Sequence, residues 1–236
     1  MIYKVHDKTM NNKADEKEGT VGQGANPKNK VNRPKIAFLA SGHGTTFEAV
    51  ALACKNNRIY AEVGLLITSR DGTGAEDRAT KLGIDVVVAD DKILGLDKTD
   101  ELMRAALRDH DIDFIILAGF IRKVGPKTLT AYSGKIFNTH PAPLPHFGGK
   151  RMYGNHVHEA VLNSDIKLTA ATIHMVTTEY DDGPIIAARP VPVIDGDNAA
   201  TLKARVQAEE KELLIMTLET IAKFASLGRQ ANYPTG

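Results

Sequence analysis

Short apolar runs alternate with helix-like segments through the first half of this sequence. Continuous apolar stretches at 35–41, 63–68, 86–89 and 114–120 are typical of strands that are buried on both faces. The amphipathic segments between these runs predict helices. Strands that alternate with helices along a chain form a parallel sheet covered by helices on both faces. The sequence therefore predicts an α/β fold built on a mostly parallel, twisted sheet.

The pattern changes in the C-terminal third of the chain. After a short helix, two extended runs at 168–178 and 184–194 follow each other without an intervening helix. Strands that succeed each other directly pair antiparallel, so we expect an antiparallel C-terminal edge on the sheet. A long final helix is expected over 198–227, capped by Asp197 and ended by Gly228.

The composition is that of a single globular domain. Of the 236 residues, 42% are hydrophobic and 25% are charged, which suits one domain with a sizeable core. Residues 1–33 are polar and lack apolar periodicity, so we expect a disordered N-terminal extension there. The folded domain is expected over 34–228, followed by a flexible tail over 229–236.

Charge, cysteine content and hydropathy argue against several classes of protein. The net charge of +1 gives no electrostatic reason to bind nucleic acid or an acidic membrane surface. Cys54 is the only cysteine, which excludes an internal disulfide framework and a cysteine-based zinc site. No apolar run approaches the roughly 20 residues that span a bilayer, and no signal-peptide core is evident. We therefore expect a cytoplasmic protein that acts on small molecules, with neither a membrane nor a nucleic-acid partner.

A proline-rich loop follows the strand expected to end at Asn138. Pro141, Pro143 and Pro145 prevent both a helix and a sheet ladder in this loop. Asn138 and His140 are thus expected at the carboxyl end of a strand, where open parallel sheets bind ligands. An amide and an imidazole two positions apart point to the same side and could together polarise one carbonyl oxygen. A core asparagine and a loop-capping histidine would fit the same residues, so the pair alone leaves both interpretations open.

A glycine-rich loop at 42–46 joins the first strand of the expected domain to a helix. Free N–H groups at the start of a helix can hold a phosphate. Phe47 stands where the dinucleotide fingerprint has a third glycine, and the next strand ends in Ser69 and Arg70 instead of an acid. A phosphate-tipped substrate is therefore favoured over a nicotinamide cofactor. A tight turn that needs glycine for geometry alone remains equally open.

Two acidic residues occupy unusual places. Asp181 lies in the turn between the two C-terminal strands, where a carboxylate near His140 would raise the pKa of the imidazole and favour proton donation. Glu210 interrupts the apolar seam of the final helix, four residues after Val206 and three before Leu213. A plain turn at 181 and a helix end that leaves the core at 210 would also explain these acids.

Two further groups of residues were considered for ligand binding. The loop 118–125 leaves a strand at the same edge of the sheet and could line a pocket for a flat ligand. Five histidines could suggest a metal site, but their spacing matches no zinc signature, so no metal is expected. These histidines are His140, His146, His156, His158 and His174.

Together these motifs resemble the glycinamide ribonucleotide formyltransferase family. The resemblance runs from Lys35 to about Ala225 and rests on the order and spacing of several motifs, not on any one of them. The motifs are Ser41-Gly42-x-Gly44-Thr45-Thr46, Leu117-Ala118-Gly119-Phe120-x-Arg122, Asn138-x-His140-Pro141-x-x-Leu144-Pro145, His156-x-His158 and Asp181-x-Gly183-Pro184-Ile185-Ile186. The resemblance implies a single Rossmann-like formyltransferase domain. Its activity would move the formyl group of 10-formyltetrahydrofolate onto the amine of 5′-phosphoribosylglycinamide in purine biosynthesis.

The resemblance also implies roles for individual residues. The catalytic residues would be Asn138, His140 and Asp181. The ribonucleotide would be held by Gly44, Thr45, Thr46 and Glu210. The folate co-substrate would be held by Ile121, Arg122, Lys123, Val124 and Asn138. A monomer or homodimer that needs no metal is expected.

Other activities compete with this interpretation. Deformylases of 10-formyltetrahydrofolate carry an N-terminal regulatory domain, and methionyl-tRNA formyltransferases a basic C-terminal one; neither has a counterpart in this sequence. A formyltransferase for an amino-sugar nucleotide is the nearest rival, and the phosphate loop together with Glu210 argues against it. An NADP-dependent reductase that uses Arg70 for the 2′-phosphate would lack its third glycine. A non-catalytic relative would be expected to lose one of Asn138, His140 or Asp181, and all three are present.

Overall fold

A computed structural model describes residues 3–4 and 33–230. The described strands form one sheet in the order β1-β4-β3-β2-β5-β6-β7-β8. The strands are β1 (Tyr3–Lys4), β2 (Lys35–Ala40), β3 (Glu62–Thr68), β4 (Asp85–Val88), β5 (Phe114–Leu117), β6 (Ile136–His140), β7 (Leu168–Met175) and β8 (Ile185–Pro192). Strands β4, β3, β2, β5 and β6 run parallel, whereas β1, β7 and β8 join antiparallel. The predicted mostly parallel sheet with an antiparallel C-terminal edge is therefore confirmed.

Helices connect the parallel strands and cover both faces of the sheet. They are α1 (Thr45–Lys55), α2 (Gly74–Leu82), α3 (Asp91–Leu94), α4 (Leu96–Asp109), α5 (Pro126–Ala131), α6 (Asn155–Leu162) and α7 (Ala199–Gln230). The short helix α3 was not predicted, because four residues are too few to establish a helical period.

The alternation of side chains along β2 separates two apolar cores. Phe38 is fully buried among residues of α1, α2, α6 and α7, whereas Leu39 is fully buried among residues of α4 on the other face. This strand is apolar at nearly every position because both of its faces are covered. Cys54 packs into the first core, as expected of a structural cysteine, and burial raises the pKa of its thiol to about 12.

The order of strands reverses at β2, which lies between β3 and β5. In open α/β sheets, ligands bind at such a reversal, beyond the carboxyl ends of the strands. The glycine loop 42–46 leaves β2 and the loop 118–125 leaves β5 at this place. The topology therefore brings together two of the segments that the sequence singled out.

Two predicted boundaries of the final helix differ from the structure. Asn198, and not Asp197, caps α7, since its Oδ1 accepts hydrogen bonds from the N–H groups of Ala200 and Thr201 at 2.9 and 3.1 Å. The side chain of Asp197 instead pairs with Arg205, about two helical turns further on. Gly228 does not end the helix, which continues to Gln230. The rest of the predicted tail, 231–236, lies outside the described residues.

The predicted disordered extension, 1–33, contains one described strand. Tyr3 and Lys4 form β1, which pairs antiparallel with Val87 and Val86 on the otherwise open edge of β4. An edge strand offers unpaired N–H and C=O groups that a short segment of another part of the chain can satisfy. Apart from β1 and Arg33, the extension lies outside the described residues.

Candidate active site

A cavity of about 780 Å³ opens at the carboxyl edge of the sheet, next to the reversal of strand order. It is bounded by the glycine loop, the loop after β5, the end of β6, the loop before α6, the turn between β7 and β8, and one face of α7. All of the predicted site residues line this cavity: Gly44, Thr45, Thr46, Ile121, Arg122, Lys123, Val124, Asn138, His140, Asp181 and Glu210. Segments far apart in the sequence therefore meet at one site.

Asn138, His140 and Asp181 lie in direct reach of one another. Both Asn138 and His140 belong to β6, and the carboxylate of Asp181 approaches them from the turn between β7 and β8. The distance from His140 Nδ1 to Asp181 Oδ2 is 3.6 Å, and that from Asn138 Nδ2 to Asp181 Oδ1 is 3.4 Å. An amide, an imidazole and a carboxylate thus share one wall of the cavity.

The turn that carries Asp181 has a geometry that few residues can adopt. Asp181 has a φ of 55°, in the left-handed region, and a Cβ on Gly183 would lie 1.9 Å from the carbonyl oxygen of Met175. Glycine is therefore required at 183 for the chain to cross back over β7. The N–H of Gly149 donates to Asp181 Oδ2 at 2.9 Å and holds the carboxylate from the other side. The plain-turn interpretation of Asp181 does not account for these contacts.

His174 belongs to the same cluster, although the sequence suggested it only as a metal ligand. It lies directly opposite Asn138 in the pairing of β6 with β7 and is 2% exposed. Its Nδ1 lies 2.9 Å from the carbonyl oxygen of Met175, which requires Nδ1 to carry the proton. Its Nε2 lies 3.0 Å from Asn138 Nδ2 and 3.4 Å from Asp181 Oδ1. His174 therefore orients the amide of Asn138.

The imidazole of His140 is neutral in the free site. Burial lowers its pKa below the ordinary value, and His174 adds to this, whereas Asp181 and the carbonyl of Phe147 act in the opposite direction. Asp181 raises the pKa of His140, as predicted, but the net shift is downward because the loss of hydration outweighs the attraction of the carboxylate. His140 Nε2 donates to Phe147 O at 2.8 Å, so the nitrogen that faces Asp181 is the unprotonated one.

Asp181 keeps its negative charge in spite of its surroundings. Burial raises the pKa of this carboxyl, but the contact with His174, the neighbouring His140 and the N–H of Gly149 together bring it below its usual range. An ionised carboxylate beside a neutral imidazole is a pair that can take up a proton. A proton bound at His140 Nδ1 would lie against Asp181.

The glycine loop closes against the start of α2. Gly44 has a φ of 73°, and a Cβ at this position would lie 2.6 Å from the Cβ of Ala75. The N–H of Ala75 donates to the carbonyl of Gly42 at 3.1 Å, which connects the loop to the start of α2. Gly44 is the N-cap of α1 and offers no capping side chain, so the first N–H groups of α1, at Thr45 and Thr46, are available to an anion. Gly44 is therefore needed for the geometry of the turn, and the same turn leaves N–H groups that can hold a phosphate, so the two interpretations of this loop are compatible.

Glu210 does not mark a departure of α7 from the core. The flanking apolar residues Val206 and Leu213 are buried, and Glu210 itself is 9% exposed. Its Oε1 accepts a hydrogen bond from the hydroxyl of Thr139 at 3.1 Å. Burial raises the pKa of Glu210 to about 7, although Thr139 and Lys211 oppose the shift. A buried acid on the cavity wall is thus held near the point of half-protonation at neutral pH.

The loop after β5 presents cations at the mouth of the cavity. Arg122 Nε lies 3.4 Å from Asp91 Oδ1 in α3, and Lys123 Nζ lies 5.6 Å from the ring centre of Tyr180. Val124 is 4% exposed and anchors the end of the loop in the second core. Positive side chains at an apolar-lined opening suit a flat ligand that carries carboxylates.

Three further cavity residues were not predicted as ligand-binding residues. His158 on α6 is 1% exposed, and burial, together with Lys203 and His140, lowers its pKa to about 4. Lys203 and Gln207 lie about two turns and one turn before Glu210 on α7, on the wall of the same cavity. The signal in the sequence is their helical spacing from Glu210, which places them on one face of α7.

Within residues 3–4 and 33–230, no group of three or more histidine, cysteine, aspartate or glutamate side chains is arranged to hold a metal ion. In the same part of the chain, no helix combines the length and apolar character that a membrane-spanning helix needs.

Comparison with known proteins identifies relatives over most of the chain. A family model described as formyl transferase matches residues 34–218. The chain is 36% identical over 207 residues to a chloroplastic phosphoribosylglycinamide formyltransferase of Vigna unguiculata, covering 86% of this chain and 66% of the relative.

Solved structures agree with this comparison. The phosphoribosylglycinamide formyltransferase of Bacillus halodurans matches with a TM-score of 0.75 and 36% identity, over 81% of this chain and 96% of that one. Glycinamide ribonucleotide transformylase 1 of Symbiobacterium toebii matches with a TM-score of 0.77 and 30% identity, over 86% and 94% of the two chains. The chain thus spans about two thirds of the plant relative and nearly all of each bacterial structure.

Proposed function

This chain belongs to the formyl transferase family, and from that premise we propose that it transfers the formyl group of 10-formyltetrahydrofolate to the amine of 5′-phosphoribosylglycinamide. The observation that carries the proposal is the meeting, in one cavity, of a phosphate-type glycine loop, a buried acid on α7 and the cluster of Asn138, His140 and Asp181. The three relatives named above are called transferases of this kind. The reaction belongs to purine biosynthesis.

The ribonucleotide binds between the glycine loop and α7. The N–H groups and hydroxyls of Thr45 and Thr46 hold the phosphate at the start of α1, with Gly44 allowing close approach. Glu210 accepts hydrogen bonds from the ribose hydroxyls, since Thr139 occupies only part of the acceptor capacity of its carboxylate. This arrangement directs the amine of the substrate towards β6.

The folate co-substrate binds on the opposite side of the cluster. Residues 121–124 form its loop, with Arg122 and Lys123 placed to attract the carboxylates of its glutamate tail. The formyl carbonyl then lies beside Asn138. The cavity volume of about 780 Å³ falls within the range typical of small-molecule sites.

Chemistry begins when the amine attacks the formyl carbon and negative charge develops on the formyl oxygen. The amide of Asn138 donates to this oxyanion, and the positive charge of His140, once protonated, stabilises it electrostatically. Asp181 stabilises the imidazolium and helps to move the proton from the attacking amine to N10 of the folate, either directly or through water. The C–N10 bond then breaks, which releases tetrahydrofolate and formylated ribonucleotide.

A two-substrate assay tests the proposal. Purified protein is mixed with 10-formyltetrahydrofolate, with and without glycinamide ribonucleotide, and the release of tetrahydrofolate is followed spectrophotometrically. Release that depends on the ribonucleotide is expected. Release without it would show a deformylase, and no release with either would contradict the proposed reaction.

A pair of histidine variants tests the mechanism. His140→Ala should lower kcat by at least about 100-fold because it removes both the proton carrier and the positive charge that stabilises the oxyanion. His156→Ala serves as the control, since His156 is exposed on α6 and pairs only with Glu159 among its described ion-pair contacts. An active His140→Ala protein with an intact circular dichroism spectrum would contradict the mechanism.

Location and assembly stay as predictions. A cytoplasmic protein acting as a monomer or homodimer is the proposal, whereas the name of the Vigna unguiculata relative places that protein in the chloroplast. Cell fractionation and sedimentation of the purified protein would test these two points.

A further inference from the structure

Ser41 joins the two loops that lie at the reversal of strand order. Its Oγ accepts a hydrogen bond from the N–H of Ile121 at 3.2 Å and another from the hydroxyl of Ser69 at 2.8 Å. Its own N–H donates to the carbonyl of Gly119 at 3.2 Å. Ser41 is 7% exposed and Ser69 is 2% exposed. One buried side chain therefore contacts the ends of β2, β3 and β5 together.

The position of Ser41 gives this contact a meaning for ligand binding. Ser41 directly precedes the glycine loop 42–46, and Ile121 is the first residue of the segment 121–124. A shift of the glycine loop would move the hydroxyl of Ser41, which is the acceptor of the hydrogen bond from the Ile121 N–H. Ser69 holds the hydroxyl from the side of β3, so that it cannot turn away without breaking a second buried hydrogen bond.

The outer contacts of the segment 121–124 are weaker than this inner one. Arg122 Nε and Asp91 Oδ1 lie 3.4 Å apart, and neither atom has a hydrogen-bond partner among the described residues. Lys123 reaches Tyr180 only through a cation–π contact, with 5.6 Å between its Nζ and the ring centre. The side chain of Ile121 is 52% exposed, so packing does not fix it. The hydrogen bond to Ser41 is therefore a principal restraint on where the segment begins.

We propose that Ser41, oriented by Ser69, is a positioning residue that couples the ribonucleotide site to the folate site. A phosphate bound to the glycine loop restricts the backbone at Gly42 and Gly44, and thereby the neighbouring Ser41. The hydrogen bond from Ile121 to Ser41 then sets where the folate-binding segment begins. The inference rests on the proposed function, because it assigns the two loops to the two substrates. Coupling of this kind is reciprocal, so each ligand strengthens the binding of the other by the same factor.

Calorimetric titration measures the coupling without any turnover. Glycinamide ribonucleotide is titrated into the wild-type protein alone and in the presence of saturating tetrahydrofolate, which carries no formyl group to transfer. The ratio of the two Kd values is the coupling factor. A factor of at least about 5 is expected, the low end of typical allosteric couplings. A wild-type factor of one would overturn the proposal.

Two serine variants and a control locate the coupling. Ser41→Ala leaves the N–H of Ile121 without its acceptor and should bring the coupling factor close to one, while Kd for tetrahydrofolate rises about 5- to 100-fold. Ser69→Ala keeps the bond between Ile121 and Ser41 and should give an intermediate factor. Ser164→Ala removes a hydroxyl that bonds to Val161 at the end of α6, away from the cavity, and should leave the factor unchanged.

The results separate a coupling role from a merely structural one. If Ser41→Ala weakens tetrahydrofolate binding but keeps the wild-type coupling factor, the serine is structural and the proposal fails. If Ser41→Ala does not fold, the Ser69→Ala variant decides: a coupling factor below that of the wild-type protein supports the proposal, and a wild-type factor contradicts it. Failure of the wild-type protein to bind glycinamide ribonucleotide at all would instead contradict the proposed function.

Discussion

Asp181 and Glu210 are two largely buried acids on the wall of one cavity, yet their pKa values shift in opposite directions. Burial alone would raise both. Asp181 is contacted by the N–H of Gly149, the amide of Asn138 and the ring of His174, and its pKa falls below the usual range. Among the described residues, Glu210 accepts a side-chain hydrogen bond from Thr139 alone, and its pKa rises to about 7.

The difference shows that the donors around Asp181 outweigh the cost of its burial, whereas Glu210 is buried more completely and has fewer donors. Asp181 is surrounded by donors before any substrate arrives, so it is ionised and ready to assist a proton transfer. Glu210 lacks donors in the free protein, and the hydroxyls of a ribose would supply them. Asp181 is therefore prepared for proton transfer and Glu210 for substrate binding, and four predictions on three variants test this division.

Asp181→Asn should have the largest effect. The substitution keeps the shape of the side chain but removes the charge that stabilises protonated His140, so kcat should fall by about 100- to 10,000-fold. Steady-state kinetics with both substrates measures the loss. Asp182→Asn is the matched control, because Asp182 is the exposed neighbour in the same turn and should retain wild-type kcat. A loss of less than tenfold at Asp181 would remove it from the proposed chemistry.

Glu210→Gln should change binding more than chemistry. Hydrogen bonds to a charged group typically contribute about 1.5–3 kcal/mol, so KM for glycinamide ribonucleotide should rise about 10- to 100-fold at pH 8. KM for 10-formyltetrahydrofolate should stay the same, since Glu210 lies on α7 and not on the folate side. A change confined to kcat would contradict the assignment of Glu210 to the ribose.

The same variant should be more stable than the wild-type protein at alkaline pH. The pKa of Glu210 is higher in the folded state, about 7, than the ordinary value of 4.5, so the folded protein binds the extra proton between these values. The proton on Glu210 stabilises the folded wild-type protein fully below pH 4.5. This stabilisation is lost as pH rises through 7, which lowers the free energy of unfolding by an amount on the order of 3 kcal/mol. The difference in urea unfolding free energy between Glu210→Gln and wild type should therefore grow from pH 5 to pH 8. A difference independent of pH would show that Glu210 does not titrate in this range.

Thr139→Val should have the smallest effect. The substitution removes the hydroxyl that lowers the pKa of Glu210. Because the ionised form of Glu210 is expected to bind the ribose, the pH at which ribonucleotide binding strengthens should move upward by about one unit or less. The profile of KM against pH measures the shift. Thr169→Val is the control, because this buried threonine of β7 lies outside the cavity and its hydroxyl has no hydrogen-bond partner. A downward shift would contradict the role of Thr139.

The position of the site could be predicted because it follows from topology. Parallel strands bring their carboxyl ends to one edge, so the loops after β2, β5 and β6 had to meet there, whatever their side chains. Glu210 could be singled out because an acid in an apolar helical seam is unusual. These predictions rest on periodicities that the sequence displays directly.

What could not be predicted depends on register and on competing energies. His174 lies opposite Asn138 only because β6 and β7 pair in one register, next to an irregularity in the pairing of β7 with β8 at Ile173 and His174. The sequence suggests that His140 has an acid nearby, but not how much water surrounds it. The direction of its pKa shift therefore could not be derived from the sequence.

The hydrogen bond between Thr139 and Glu210 spans 71 residues, whereas Asn138 and Asp181 are 43 residues apart. Synthesis proceeds from the N-terminus, so the segments that carry Asn138, His140 and Asp181 leave the ribosome before α7 does. A nascent chain that ends before Ala199 lacks both the wall proposed to hold the ribose and the apolar residues that α7 adds to the first core. The reacting groups are thus synthesised first, and the residue proposed to hold the ribose comes last, on the final described helix.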